Sequence, residues 1–88
     1  MKTKEGFRLR ELGGDYILIG ESAELVNFNN LITFNEAAAY LWQNVEGKDF
    51  DVDTLTQLLL AEYEVTEDVA RKDAQATIED WKAVGIIS

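Results

Sequence analysis

Phe7-Arg8-Leu9-Arg10-Glu11-Leu12-Gly13-Gly14-Asp15-Tyr16-Ile17-Leu18-Ile19-Gly20 is the stretch that decides the fold class. Its first six residues alternate in part between apolar and charged, as a half-solvated strand requires. Its last six are rich in β-branched and aromatic side chains. The two-residue Gly13-Gly14 break between them predicts a tight hairpin, because primed turns need positive φ. Ile17-Leu18-Ile19 is continuously apolar, so the second strand is expected to be covered on both faces.

Working outward, residues 21–30 are mixed, and Leu25, Val26 and Phe28 are expected to fold back onto the core from a loop. Leu31-Ile32-Thr33-Phe34 is a short third strand. Asn35 is a good helix N-cap and Glu36 suits the first-turn dipole. The first helix is predicted over 36–45, with Ala38, Leu41, Trp42 and Val45 on one face and Gly47 ending it. Asp51 or Asp53 caps a second helix, with Leu55, Leu58 and Leu59 on its apolar face. Leu60 lies off that face. Thr66 caps a third helix over 67–84, whose buried stripe is Ala70, Ala74, Thr77, Ile78 and Trp81. Gly85 stops it at C′, and Ile86-Ile87 is expected to clasp the sheet. A hairpin, a third strand and three helices, without βαβ alternation, make an α+β fold: a three-stranded antiparallel sheet with helices on one side. No repeat, linker or Pro marks a boundary, so one domain is expected to span 1–88.

Charge narrows the class of partner. The 88 residues carry a net charge of −9, with 17 acids against 8 bases. Thirteen of the acids fall between residues 11 and 70 against Lys48 alone. Phosphate backbones and anionic membranes need clustered Lys and Arg, so neither nucleic acid nor a membrane surface is an expected partner. No apolar run approaches a membrane span, and Met1–Gly6 shows no signal-peptide pattern, so a cytoplasmic protein is the expectation.

The chemistry the residues support is limited. There is no His and no Cys, which removes the commonest general base, the Ser–His and Cys–His pairs and the usual zinc ligands. Ser22 and Ser88 sit in no nucleophile motif. Gly13-Gly14 is followed by neither a Lys nor a helix start, so it is no phosphate cradle. Asp49, Asp51 and Asp53 occupy positions 1, 3 and 5 of a calcium loop. The sixth position, however, is Thr54 where Gly is needed, and the twelfth is Leu60 where a bidentate Glu is needed. Those acids read as helix caps. No catalytic residue, cofactor or metal site is expected.

Thr33-Phe34-Asn35-Glu36-Ala37-Ala38-Ala39-Tyr40-Leu41-Trp42 resembles the strand-to-helix junction of the PqqD-like family. The likeness continues through Gly47, Leu55, Leu58-Leu59 and Tyr63-Glu64-Val65, then Asp73, Ile78, Trp81 and Gly85-Ile86-Ile87. Phe34 stands where the family usually has Leu, and Glu46-Gly47 where it usually has Asp-Gly. The resemblance implies a winged helix-turn-helix-like domain that is a recognition element for ribosomally made, modified peptides. Such a domain holds the leader of a precursor peptide and presents the rest to a modifying enzyme, often a radical S-adenosylmethionine enzyme. The leader adds as a strand beside the third strand and packs against the third helix, which is β-augmentation. On this sequence that implies a peptide site at Leu31, Ile32, Thr33, Phe34, Val69, Arg71, Lys72, Asp73 and Ala76. Arg71 and Lys72 are then the cations expected to meet acidic leader residues. Two other readings stay open. One is a winged-helix transcription regulator, whose helices offer Arg71, Lys72 and Lys82 amid seven acids from Glu62 to Asp80. The other is a structural homodimer, suggested by Leu60 and by the strand edge.

Calcium and zinc are expected to leave the melting temperature unchanged, since an ion that binds only the native state must raise it. A saturable rise with sub-millimolar calcium would revive Asp49–Asp53 as a site.

Overall fold

The computed structural model describes residues 1–20 and 32–88. Strands β1 (Phe7–Leu12), β2 (Asp15–Gly20) and β3 (Ile32–Phe34) are followed by helices α1 (Glu36–Val45), α2 (Val52–Glu62) and α3 (Glu67–Val84). Gly13 and Gly14 have φ of 60° and 90°, the two positive values that a type I′ hairpin demands. They set a register running from Leu12 opposite Asp15 to Phe7 opposite Gly20. β3 pairs antiparallel with the other side of β2, so the sheet order is β1-β2-β3. The central strand buries Leu18 and leaves Ile17 and Ile19 half-buried. Its second face is therefore only partly covered, short of the two-sided burial its apolar run predicts. The expected packing of Leu25, Val26 and Phe28, and Leu31 itself, lie outside the described residues.

Each helix starts where a side chain can take up an orphan N–H. Asn35 accepts from the Ala38 N–H at 2.8 Å. Of the two candidate caps for α2, Asp51 does the work, accepting from the Thr54 N–H at 2.9 Å, while the Asp51 N–H donates back to Thr54 Oγ1. The bond from the Thr54 backbone, helped by its hydroxyl, holds the Asp51 carboxyl below the usual range. Thr66 accepts from the Val69 N–H. Gly85, in the left-handed region at φ 79°, closes α3. The N–H groups of Gly85 and Ile86 both donate to the Trp81 carbonyl, satisfying the last turn.

Four details differ from the sequence expectation. Ala38 is half-buried, and the fully buried residue beside it in α1 is Ala39. Thr56 in α2 is fully buried, because its hydroxyl donates to the Val52 carbonyl at 2.7 Å and needs no outside partner. Leu58 and Leu60 are both half-buried against the core, so Leu60 offers no argument for a second chain. Ile86 and Ile87 are buried as expected, but they clasp the start of the chain instead of the three-stranded sheet. The Lys4 N–H donates to the Ile86 carbonyl, and Lys2 and Ser88 exchange both backbone bonds. On its other side the same segment meets Phe50, which exchanges bonds with Met1. Thr3 is buried between them and accepts from the Gly47 N–H at 3.0 Å.

Trp81 joins these parts. Its ring stacks on Phe34 of β3 at 5.8 Å and meets Trp42 of α1 edge-on at 5.3 Å. It also meets Phe50 of the α1–α2 connection at 6.2 Å. Ala70, Ala74 and Ile78 extend the buried stripe along α3 toward α2. Trp81→Ala is expected to cost about 3–5 kcal/mol through the cavity it leaves. Urea unfolding with less than ~1 kcal/mol of change would contradict this placement.

Candidate functional site: a groove between the edge strand and the third helix

β3 is bonded to β2 on one side, and among the described residues no strand pairs with its other side. Such an edge presents unpaired N–H and C=O groups, which proteins usually cover or blunt. Ile32, Thr33 and Phe34 carry neither charge nor Pro to blunt it. Across from this edge runs α3, and the gap between them is a groove of about 500 Å³.

Its floor is the outer surface of the core: Phe34, Leu41, Leu59 and Trp81. The start of α1 closes one wall with Ala37 and Ala38, and α3 supplies Asp73, Ala76, Thr77, Asp80 and Val84. The alanines matter by being small, since larger side chains there would fill the space. A helix turns roughly 100° per residue. Residues 73, 76, 77, 80 and 84 therefore form one stripe, about a quarter-turn from the buried stripe through Ala70, Ala74, Ile78 and Trp81. The Thr77 hydroxyl donates to the Asp73 carbonyl at 2.8 Å, which leaves the Asp73 carboxylate unoccupied by it. The groove thus offers an apolar floor, two carboxylates and a strand edge. It holds no nucleophile with a base beside it among the described residues. Among the described residues no group of three metal-ligating side chains forms.

The same helical geometry sorts the residues expected from sequence. Ile32, Thr33, Phe34, Asp73 and Ala76 all line the groove. Val69 lies on the α3 stripe but one turn before it, exposed and outside the groove. Lys72 lies off the stripe and Arg71 roughly 200° from Asp73, and neither lines the groove. Arg71 is committed elsewhere. Its guanidinium donates to Asp53 Oδ1 at 2.6 Å and to Glu67 Oε1 at 3.3 Å. Those bonds, Asp53 first, raise its pKa above the ordinary value and tie the start of α3 to the start of α2. Arg71 and Lys72, grouped with Asp73 by sequence proximity, thus stand on other faces of α3 than Asp73. On α3, Asp80 and Val84 are groove residues that the sequence reading passes over, and Thr77, expected on the buried stripe, is only half-buried and lines the groove. Their spacing from Asp73 (four, seven and eleven residues) was the available signal, a second stripe beside the buried one.

The chain matches the family model of coenzyme PQQ synthesis protein D (PqqD) over residues 9–87. It belongs to the PqqD family. The matched span runs from β1 to Ile87 and includes every described wall of the groove. Two solved structures share the fold of this PqqD-family chain. One is described as TbiB1 in complex with the TbiA(beta) leader peptide, 13% identical, with a TM-score of 0.76 over 100% of this chain and 95% of that one. The other is a lasso peptide synthetase B1 complexed with the leader peptide, 20% identical, with a TM-score of 0.74 over 99% of this chain and 95% of that one. No curated protein sequence matches the chain. Among the described residues no helix is long and apolar enough to cross a membrane.

Proposed function

We propose that this PqqD-family chain is a recognition element that binds the leader segment of a precursor peptide by adding it as a strand to β3. The observation that carries the reading is the β3 edge, unpaired among the described residues, facing α3 across an apolar-floored groove. Backbone bonds to β3 would give affinity, and alternate side chains entering the groove would give specificity. From Asp73 to Val84 the α3 wall is roughly 16 Å long, which matches about five residues of extended chain. Both similar structures are described as leader-peptide complexes, which supports the same use of the fold here. With neither His nor Cys in the chain, the covalent chemistry falls to a partner. That partner is a peptide-modifying enzyme, of the radical S-adenosylmethionine type, to which this domain presents the precursor in the cytoplasm.

Ala76→Trp tests the groove. Ala76 is exposed on α3, so the substitution fills the gap without disturbing the core. Short precursor frames encoded beside this chain's gene supply the peptides. Wild-type protein is expected to bind one of them, with amide shifts concentrated on residues 32–34 and 73–84. Ala76→Trp is expected to keep its melting temperature and lose at least about tenfold in affinity. Binding that Ala76→Trp leaves intact, or shifts confined to β1 and the hairpin turn, would contradict strand addition at β3.

A further inference from the structure

We infer that the groove selects a basic segment: an extended peptide carrying Lys or Arg on either side of one apolar residue, all three facing α3. This rests on the proposed strand addition and specifies the sign of charge that it accepts. Among the described residues, the charged side chains lining the groove are Asp73 and Asp80, and no cation lines it. No ion pair within the described residues engages either carboxylate. Of the α3 cations, Arg71 is held by Asp53 and Glu67 on the far side of the helix from Asp73, and neither Lys72 nor Lys82 lines the groove. The net charge of −9 adds its own repulsion toward an acidic segment. An acidic leader, the partner that Arg71 and Lys72 first suggested, would thus meet like charge along the whole α3 wall.

Spacing fixes the pattern. Asp73 and Asp80 are seven residues apart, roughly 10.5 Å along the helix. Between them Ala76 and Thr77 leave the way open to Trp81 and Leu41 on the floor. On an extended strand, side chains on one face recur every two residues, about 6.7 Å, so the first and fifth residues stand about 13 Å apart. A cation at each of those positions reaches one carboxylate with its flexible stem, and the third residue, apolar, enters the floor. Like charges at those positions would instead be desolvated against carboxylates, which is how such a site rejects wrong partners.

Three blocked synthetic heptapeptides isolate this claim: Thr-Lys-Thr-Leu-Thr-Lys-Thr and its counterparts with Gln or Glu in place of both Lys. Each is titrated into the 88-residue protein while the amide shifts of residues 32–34 and 73–84 are followed. The Lys peptide is expected to bind about tenfold tighter than the Gln peptide at low salt and to lose that advantage at high salt. The Glu peptide is expected to give no shifts there. Asp73→Asn with Asp80→Asn should bring the Lys peptide down to the Gln level. The charge-matched control, Glu64→Gln with Glu79→Gln, lies outside the groove and should keep most of the difference. Equal binding of the Lys and Gln peptides, or equal losses in the two double variants, would overturn the inference. Its fate is separable from that of the leader reading. A precursor that binds Ala76→Trp-sensitively but through acidic residues sinks only the charge rule. A groove that takes the Lys peptide while no neighbouring precursor binds sinks only the leader reading.

Discussion

The stack of Phe34 on Trp81 sets the distance between the sheet and the last helix, and most of the molecule is arranged around it. Phe34 is the last residue of β3 and Trp81 lies one turn from the end of α3, so a single aromatic contact fixes two elements far apart in sequence. Trp42 and Phe50 hold the Trp81 ring edge-on from α1 and from the connection to α2. Edge-to-face and offset aromatic pairs contribute beyond the area they bury. With Trp81 held from three sides, α3 can lean on the sheet at one end and on α2 along its length.

Among the described residues, that geometry leaves the groove open. β3 is only three residues long, and the helix that would otherwise cover its edge stands off by the thickness of the Phe34–Trp81 pair. The alanines at 37, 38 and 76 keep the space from being filled. The result is a strand edge supported from beneath by a rigid core, which lowers the ordering cost of adding a strand. The carboxylates at the rim of the groove are a separate feature, set by the angular position of Asp73 and Asp80 on α3 and independent of the aromatic floor. In the proposed function, affinity comes from the edge and the floor, and discrimination comes from the rim.

Much of this was legible in the sequence because it is local. The Gly13-Gly14 turn, the Asn35, Asp51 and Thr66 caps and the Gly85 stop each act over a few residues, and each sets an element boundary. The expectation of core tryptophans also followed from pattern, whereas that of a site along β3 and α3 came from the family resemblance. What escaped depends on angles and on distant pairing. Arg71 and Asp73 are neighbours in sequence but face nearly opposite ways on the helix, and only the ion pair with Asp53 shows where Arg71 is used. Thr56 is buried because its own helix satisfies its hydroxyl, which composition does not reveal. The pairing of residues 2–4 with 86–88 joins the two most distant segments of the chain, and the polar Lys2-Thr3-Lys4 gives no strand-like pattern to announce it.

Strand addition at β3 makes one direct demand on the backbone. Successive residues of an antiparallel edge turn their N–H groups alternately toward the neighbour and away from it. Of Ile32 and Thr33, therefore, one donates to β2 and the other points away from it, to the side on which a peptide strand would add. Amide hydrogen exchange at these two positions, measured with and without a saturating precursor peptide, reads this demand. The account predicts that the outward N–H exchanges freely in the protein alone and becomes strongly protected in the complex. Saturation of the protein by the peptide with exchange at both positions unchanged would contradict it.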